Sequence, residues 1–322
     1  MKHIIVIIIG VLLFSCTKEI EIGIPQQMHK LAAYSTIVPL TFPAPKPLGI
    51  KLQSSLHIFD NSPSRIADAF VLYFENDFLK DTLEYSDSLD IYSISNNITD
   101  YPIAGNTYSV RIYKDGFDTI TATTRIPSKV KITDTTIVPI AYVDETGNVF
   151  SEISITFTDP VDETNFYEIA VSDIAFQYDS SKYFYKLSTY DNIITSESYY
   201  PSLIRFDVDK PKYLLFNDKT INGKERTLTV YYNPPQREDD NRYIANHYIS
   251  LHLRNVTEDY YKFKTSMIQH LNNNKEDILY GMGEPVNIIS NIDNGYGLFA
   301  GFNNDIVSFF IPEQIINEQW KY

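Results

Sequence analysis

The chain has very little cysteine and tryptophan, and it has fewer basic than acidic residues. It contains one Cys and one Trp among 322 residues, which excludes an intrachain disulfide and a zinc site built on several thiolates. Lys and Arg number 27 against 41 Asp and Glu, so the formal net charge is -14. Because phosphate backbones are also negative, the sequence does not predict a nucleic-acid-binding protein.

The apolar run at the N-terminus is too short to cross a membrane as a helix. Residues 4–14 are apolar, with one glycine among them, and as a helix they would span about 16 Å, roughly half of a hydrocarbon core. Lys2 precedes the run. A positive start followed by a short apolar segment is typical of a secretory signal peptide, so we predict one over residues 1–15.

The end of this segment resembles the lipobox of bacterial lipoproteins. Leu13 stands three residues before Cys16, the small Ser15 directly precedes the cysteine, and polar residues follow at once. We predict that Cys16 carries a lipid and that residues 16–30 form a tether, because acyl chains anchor at about 0.8 kcal/mol per buried CH₂. The alternative is an ordinary secretory peptide with an incidental cysteine. A lipid on Cys16 would place the protein at a membrane of the cell envelope, and the sequence leaves open whether the body faces the periplasm or the outside.

The residues after the tether indicate β-structure. The chain has 25 Tyr and only 12 Gly, a composition that favours antiparallel strands. In segments such as residues 107–112, apolar and polar residues alternate with the period of a half-buried strand. We predict a mainly β fold of two immunoglobulin- or fibronectin-like sandwich domains, over residues 31–127 and 128–322, with a junction at residues 128–136.

One helix is predicted in the second domain, over residues 257–271. Thr257 can cap its start, and Glu258 and Asp259 lie where the positive end of a helix favours acidic side chains. Three asparagines at residues 272–274 predict its end. One apolar stripe along the helix consists of Tyr260, Phe263, Met267 and Leu271.

The sequence carries no recognisable catalytic or metal-binding motif. His247 and His252 lie five residues apart on a predicted strand, so they face opposite sides and do not share a metal. The acidic turn with Asp159, Asp162 and Glu163 lacks the spacing of a calcium loop and is interpreted as solvated. We therefore expect a non-enzymatic protein with no catalytic residue, no metal site and no cofactor.

Tyrosine is concentrated in one part of the chain. Fourteen of the 25 tyrosines fall within residues 167–261. Adjacent tyrosines on a strand should give one buried and one outward ring, and outward rings can stack on a sugar or contact a protein. The single Trp320 argues against a dedicated carbohydrate-binding face, and the alternative is that the rings only pack the sandwich. The candidate interaction patch, expected to contact a neighbouring membrane protein, consists of Tyr199, Tyr200, Tyr231 and Tyr232.

Several segments together resemble one protein family. Its C-terminal half is the most specific part, with the segment 253–263 and the glycine-rich segment 295–301. Further similar segments are residues 16–20, 31–40, 66–69, 126–127, 157–160, 165–169, 284–286 and 290–292. The chain thus resembles the Bacteroidota lipoproteins of the domain of unknown function 4249. That resemblance implies an outer-membrane lipoprotein that accompanies a TonB-dependent transporter, and it implies no catalytic residue.

Two function classes remain after these observations. The favoured hypothesis is a lipid-anchored envelope protein that binds a ligand or a TonB-dependent transporter. The alternative is a structural or adhesive cell-surface lipoprotein, for which tandem sandwiches are equally suited. A transporter gene beside this gene would favour the first hypothesis, and pilus or adhesin genes would favour the second.

Overall fold

The computed structural model describes residues 29–39, 48–55, 64–94, 101–173, 184–194, 211–237, 243–280 and 286–316, with the backbone alone for residues 243 and 272–280. These residues form seventeen strands and one helix. The predicted signal peptide, the lipid site Cys16 and the candidate residues Tyr199 and Tyr200 lie outside them.

Seven strands make up the first part of the chain. They form where apolar side chains occupy every second position: in the sixth strand Tyr108, Val110 and Ile112 are buried, while Arg111 and Tyr113 are exposed. In chain order the strands are β1 (Leu31–Ile37), β2 (Gly49–Ser54), β3 (Phe70–Glu75), β4 (Phe78–Ser86), β5 (Ile91–Ser93), β6 (Thr107–Tyr113) and β7 (Ile120–Arg125).

The rest of the chain adds ten strands and the helix. The strands are β8 (Ile132–Val143), β9 (Val149–Thr158), β10 (Phe166–Asp173), β11 (Leu187–Ser188), β12 (Tyr213–Asn217), β13 (Glu225–Tyr232), β14 (Tyr243–Ile244), β15 (His247–Val256), β16 (Tyr296–Ile311) and β17 (Gln314–Ile315). The helix, α1 (Glu258–Tyr280), lies between β15 and β16.

The strands pair into three sheets. The largest has eleven strands in the order β12-β10-β15-β16-β1-β2-β5-β4-β3-β6-β7, the second is β11-β13-β9-β8, and β14 pairs with β17. In the described sheets β1 and β16 pair in parallel and all other pairs are antiparallel. The large sheet folds back, since the Gly301 amide donates a hydrogen bond of 2.9 Å to Thr124 Oγ1 on β7.

The two largest of four hydrophobic clusters in the described residues form the main cores. The first is enclosed by β1 to β7 and includes Phe299 of β16. The second lies between the four-stranded sheet and β10, β12 and β15, where Ile155, Phe216 and Leu251 are fully buried. The mainly β fold is therefore confirmed and is consistent with a β-sandwich. The immunoglobulin-like identity and the boundary at residue 127 stay predictions, and β16 contributes to both cores through Phe299 and Ile311.

The helix begins where the sequence predicted, but its predicted end is wrong. Thr257 Oγ1 accepts a hydrogen bond of 3.4 Å from the Tyr260 amide, as expected of a cap. The helix then continues through the three asparagines to Tyr280. Each Asn costs well under about 1 kcal/mol in a helix interior, so good helix formers after them can carry the helix further. Within the described residues, this helix is not apolar enough to span a bilayer, and no other helix could do so.

Two predicted connections are more ordered than expected. The junction predicted at residues 128–136 already enters β8 at Ile132, whose amide donates a 2.9 Å hydrogen bond to Asp305 Oδ2 on β16. At the end of the predicted tether, the Lys30 amide donates to Ser55 Oγ at 2.9 Å, and His29 Nδ1 lies 3.0 Å from the Ser55 carbonyl oxygen. The tether is thus attached to the sheet before β1 begins.

Candidate functional site

The outer surface of the four-stranded sheet carries an unusual set of side chains. Strand alternation sends Ile153, Ile155 and Phe157 of β9 into the core, so Ser154 and Thr156 point outward. We call this surface the tyrosine face and define it as Tyr142, Tyr190, Tyr231, Glu152, Ser154, Thr156, Thr227 and Thr229.

Hydroxyl groups are paired across the centre of the tyrosine face. The Oγ atoms of Ser154 and Thr229 lie 2.8 Å apart, and those of Thr156 and Thr227 are also 2.8 Å apart. These residues are register partners on β9 and β13. In each pair one proton makes the mutual hydrogen bond, so the second proton and several lone pairs remain available.

The three tyrosines form a connected aromatic cluster at one end of this face. The ring centroids of Tyr190 and Tyr231 are 5.6 Å apart, and those of Tyr231 and Tyr142 are 5.5 Å apart, both edge to face. Tyr142 stacks on Phe150 at 4.6 Å, which attaches the cluster to the sheet. Tyr190 is 83% exposed, so most of its ring is open to solvent. Edge-to-face contacts of this kind stabilise by about 0.5–1.5 kcal/mol beyond area burial.

The phenols of Tyr142 and Tyr231 stay neutral at physiological pH. Burial, together with the neighbouring Tyr190, raises the pKa of Tyr142. Burial and the adjacent Glu152 carboxylate raise the pKa of Tyr231 in the same way. The tyrosine face can therefore donate hydrogen bonds from its phenols, accept them at Glu152, and offer an aromatic surface for stacking.

Of the two predicted patch residues that the structure describes, one lies on the outer surface of the sheet. Tyr231 is partly exposed on the tyrosine face. The prediction for Tyr232 as an outward residue is wrong, since its side chain is fully buried and contacts Tyr185 with centroids 5.0 Å apart. The reason is strand parity, because Leu228, Val230 and Tyr232 share the buried side of β13.

Sequence reasoning missed Tyr142 and Tyr190. The pairing of β8 with β9 shifts register between Val138 and Tyr142, so alternation along β8 does not show which way Tyr142 points. Tyr190 follows the two-residue strand β11, which is too short to carry a pattern. No signal in a single sequence identifies either residue.

His247 and His252 face opposite sides of β15, as predicted. His247 Nε2 lies 3.0 Å from Tyr232 Oη in the second core. On the other side, His252 Nε2 lies 2.9 Å from Ser172 Oγ, and its Nδ1 lies 3.1 Å from the side-chain Nδ2 of Asn304. A serine next to an imidazole can act as a nucleophile, but Ser172 is only 3% exposed. We interpret this cluster as a structural network that links β10, β15 and β16.

The buried His247 makes stability depend on pH. Its Nδ1 lies 2.8 Å from the Ala245 carbonyl oxygen, so Nδ1 carries the proton and Nε2 accepts from Tyr232. Burial lowers the pKa of His247 below its ordinary 6.5, although the Ala245 carbonyl and Asp173 act in the opposite direction. A base whose pKa falls on folding stabilises the fold above its unfolded pKa, and this stabilisation is lost as the pH falls.

We therefore expect the free energy of unfolding to fall as the pH is lowered through 6.5. Urea unfolding at several pH values measures it. In His247→Gln this part of the pH dependence should disappear, because glutamine does not titrate. His29→Gln is the control, since His29 is exposed. Equal pH dependence in the wild type and His247→Gln would contradict the assignment.

The acidic turn near residue 160 is only partly solvated. Asp162 and Glu163 are exposed, but the prediction is wrong for Asp159, which is 1% exposed. Its carboxylate accepts hydrogen bonds from Tyr167 Oη at 2.5 Å and from the Gly223 amide at 3.0 Å, and burial raises its pKa. No cluster of three or more potential metal ligands occurs among the residues that the structure describes.

Comparison with known proteins identifies a family but not an activity. No curated protein matches the chain. The model of one family, described as a domain of unknown function (DUF4249), matches residues 17–306. Since this match spans most of the 322 residues, the chain belongs to the DUF4249 family.

Proposed function

We propose that the protein is a non-enzymatic, lipid-anchored binding protein of the cell envelope that works beside a TonB-dependent outer-membrane transporter. The observation that carries this proposal is the tyrosine face, where the open ring of Tyr190 adjoins Tyr231 and rows of paired hydroxyls. Such a surface has the stacking and hydrogen-bonding groups of a binding site. The lipobox-like sequence around Cys16 supports attachment to the outer membrane, on either of its faces.

The proposed anchor explains how a modest binding surface can suffice. A flexible chain of the twelve residues 17–28, which precede the attachment of residues 29 and 30 to the sheet, would have an end-to-end distance of roughly 20 Å. A body held that close to the membrane has a raised effective concentration toward neighbouring membrane proteins. Weak contacts with a transporter, or weak capture of its ligand, would then be enough for function.

Metabolic labelling and mild extraction test this proposal together. In cells fed an alkyne fatty acid, the wild-type protein should become labelled and Cys16→Ala should not, because lipidation consumes the cysteine thiol. When outer membranes are solubilised gently, the wild-type protein should co-purify with a β-barrel transporter. Cys16→Ala should do so far less, because it loses the anchor.

Two results would contradict the proposal. Labelling that persists in Cys16→Ala would show that the lipid is not attached to Cys16. Co-purification with pilus or adhesin components in place of a transporter would favour the structural or adhesive alternative. Cys16→Ser is the conservative control, because it keeps side-chain size and also lacks the thiol.

A further inference from the structure

We propose that the tyrosine face binds a neutral oligosaccharide, through stacking of a pyranose ring on Tyr190 and hydrogen bonds to the paired hydroxyls of β9 and β13. This inference rests on the proposed binding function and names the chemical class of the ligand. The structure supports it by three separate features: an open aromatic ring, rows of hydroxyls, and the charge of the face.

The aromatic cluster supplies the stacking surface. Tyr190 is 83% exposed, and its ring is held at the edge by Tyr231, 5.6 Å away between centroids. Tyr231 is itself supported by Tyr142 at 5.5 Å. A pyranose ring has an apolar C–H surface that matches an open aromatic ring, while its hydroxyls need polar partners around the edge. The phenol hydroxyls offer such partners beside the stacking surface.

The hydroxyl rows supply a regular array of donors and acceptors. The pairs Ser154–Thr229 and Thr156–Thr227 follow one another along β9 and β13, two residues apart, which corresponds to about 6.8 Å in an extended strand. Each pair keeps one proton to donate and lone pairs to accept. Sugar hydroxyls also both donate and accept hydrogen bonds. A regular array of hydroxyls on the sheet can therefore bind the regularly spaced hydroxyls of an oligosaccharide.

The charge and polarity of the face select against other ligand classes. Glu152, the register partner of Tyr231, places a carboxylate beside the stacking ring and repels phosphate and other anions. A protein partner usually needs an apolar centre of contact within about 800 Å² per side. Here hydroxyl pairs occupy the centre of the sheet surface, which favours a neutral polyol over a protein.

Native gel electrophoresis through soluble polysaccharide tests the inference on the full chain. Mannan, xyloglucan and laminarin serve as neutral probes, and polygalacturonate serves as the acidic one. We expect at least one neutral polysaccharide to retard the wild-type protein and polygalacturonate not to. Tyr190→Ala should weaken that retardation about tenfold, which corresponds to about 1.4 kcal/mol.

Two further variants separate binding from folding. Thr229→Val keeps the side-chain shape but removes one hydroxyl pair, so it should also weaken retardation. Tyr248→Ala is the matched control, because Tyr248 is 52% exposed and packs against Phe310 on the other sheet. It should be retarded like the wild type.

The possible failures are distinguishable from those of the proposed function. Absence of retardation by all three neutral polysaccharides overturns the sugar inference, as does an equal effect of Tyr190→Ala and Tyr248→Ala. If no polysaccharide retards the protein while Tyr190→Ala loses co-purification with the transporter, the face docks a protein. The sugar inference is then overturned and the proposed function stands. If labelling and co-purification both fail while the protein still binds a neutral polysaccharide, only the proposed membrane role is overturned. The sugar inference then stands.

Discussion

Gly297→Ala is expected to lower the free energy of unfolding by about 4 kcal/mol or more, or to prevent folding altogether. Gly297 has a φ of +115°, and a Cβ placed there would lie 1.9 Å from the carbonyl oxygen of Ala33. Ala33 is its register partner in the parallel pair of β1 and β16. The backbone of β1 would have to move away, and the pairing that joins the two parts of the large sheet would be lost.

Gly147→Ala is the matched control for this prediction. Gly147 also has a positive φ, of +87°, but no atom lies within 4 Å of the position of its missing Cβ. Gly147→Ala should lower the free energy of unfolding by only about 1–2 kcal/mol, which is the cost of the left-handed conformation for a residue with a Cβ. Urea unfolding followed by circular dichroism compares the two variants. Equal losses would show that the close approach at Ala33 is not decisive.

The pairing of β1 with β16 also bears on the proposed anchor. β1 starts directly after the predicted tether, at Leu31, and β16 contributes to both hydrophobic cores. A force or constraint applied through the tether therefore reaches both parts of the chain by way of one strand pair. A defect at Gly297 should thus affect the whole protein rather than the first core alone.

Local alternation predicted most of the strands, because one face of each lies against a core. β6, for example, spans Thr107–Tyr113 and so ends one residue beyond the alternating segment 107–112. Alternation could also have placed Tyr232 correctly, since it shares its strand side with Leu228 and Val230. The expectation of one buried and one outward ring holds for this pair, and the error was to keep both Tyr231 and Tyr232 in the candidate patch.

The remaining features depend on contacts between distant residues. The parallel register joins Ala32 to Tyr296, and no local pattern encodes a pairing over such a separation. Tyr142 reaches the tyrosine face only because a register shift in β8 changes the side on which it lies. The hydroxyl pairs are likewise visible as single threonines and serines in the sequence, but their partners come from another strand.

A buried ion pair lies beneath the helix, and breaking it is expected to lower the free energy of unfolding by a large amount. Glu168 on β10 and Arg254 on β15 are register partners and hydrogen-bond to each other, with side chains 0% and 12% exposed. Tyr260 of α1 donates a 2.7 Å hydrogen bond to Glu168. The Arg254 guanidinium also lies 5.2 Å from the Phe302 ring centroid and 5.9 Å from that of Tyr213.

Arg254→Met is expected to lower the free energy of unfolding by about 3–5 kcal/mol, because it leaves the Glu168 carboxylate buried without its cation. Burial opposes the charge of Arg254, but Glu168, Tyr260 and Tyr213 raise its pKa, so the guanidinium is charged whenever the protein is folded. Urea unfolding measures the loss. The fully apolar variant with Glu168→Leu, Arg254→Met and Tyr260→Phe should recover most of it, since no buried charge or unpaired hydroxyl then remains.

Lys262→Met provides the comparison on the same helix. Lys262 pairs with Glu258 at 2.9 Å, but their side chains are 48% and 57% exposed, so solvent screens the attraction and the unfolding midpoint should hardly change. A loss in Arg254→Met no larger than in Lys262→Met would show that the Glu168–Arg254 pair does not hold α1 on the sheet. If Arg254→Met is costly but the apolar triple variant is not, the cost arises from the stranded carboxylate. The intact pair then adds no net stability over an apolar contact.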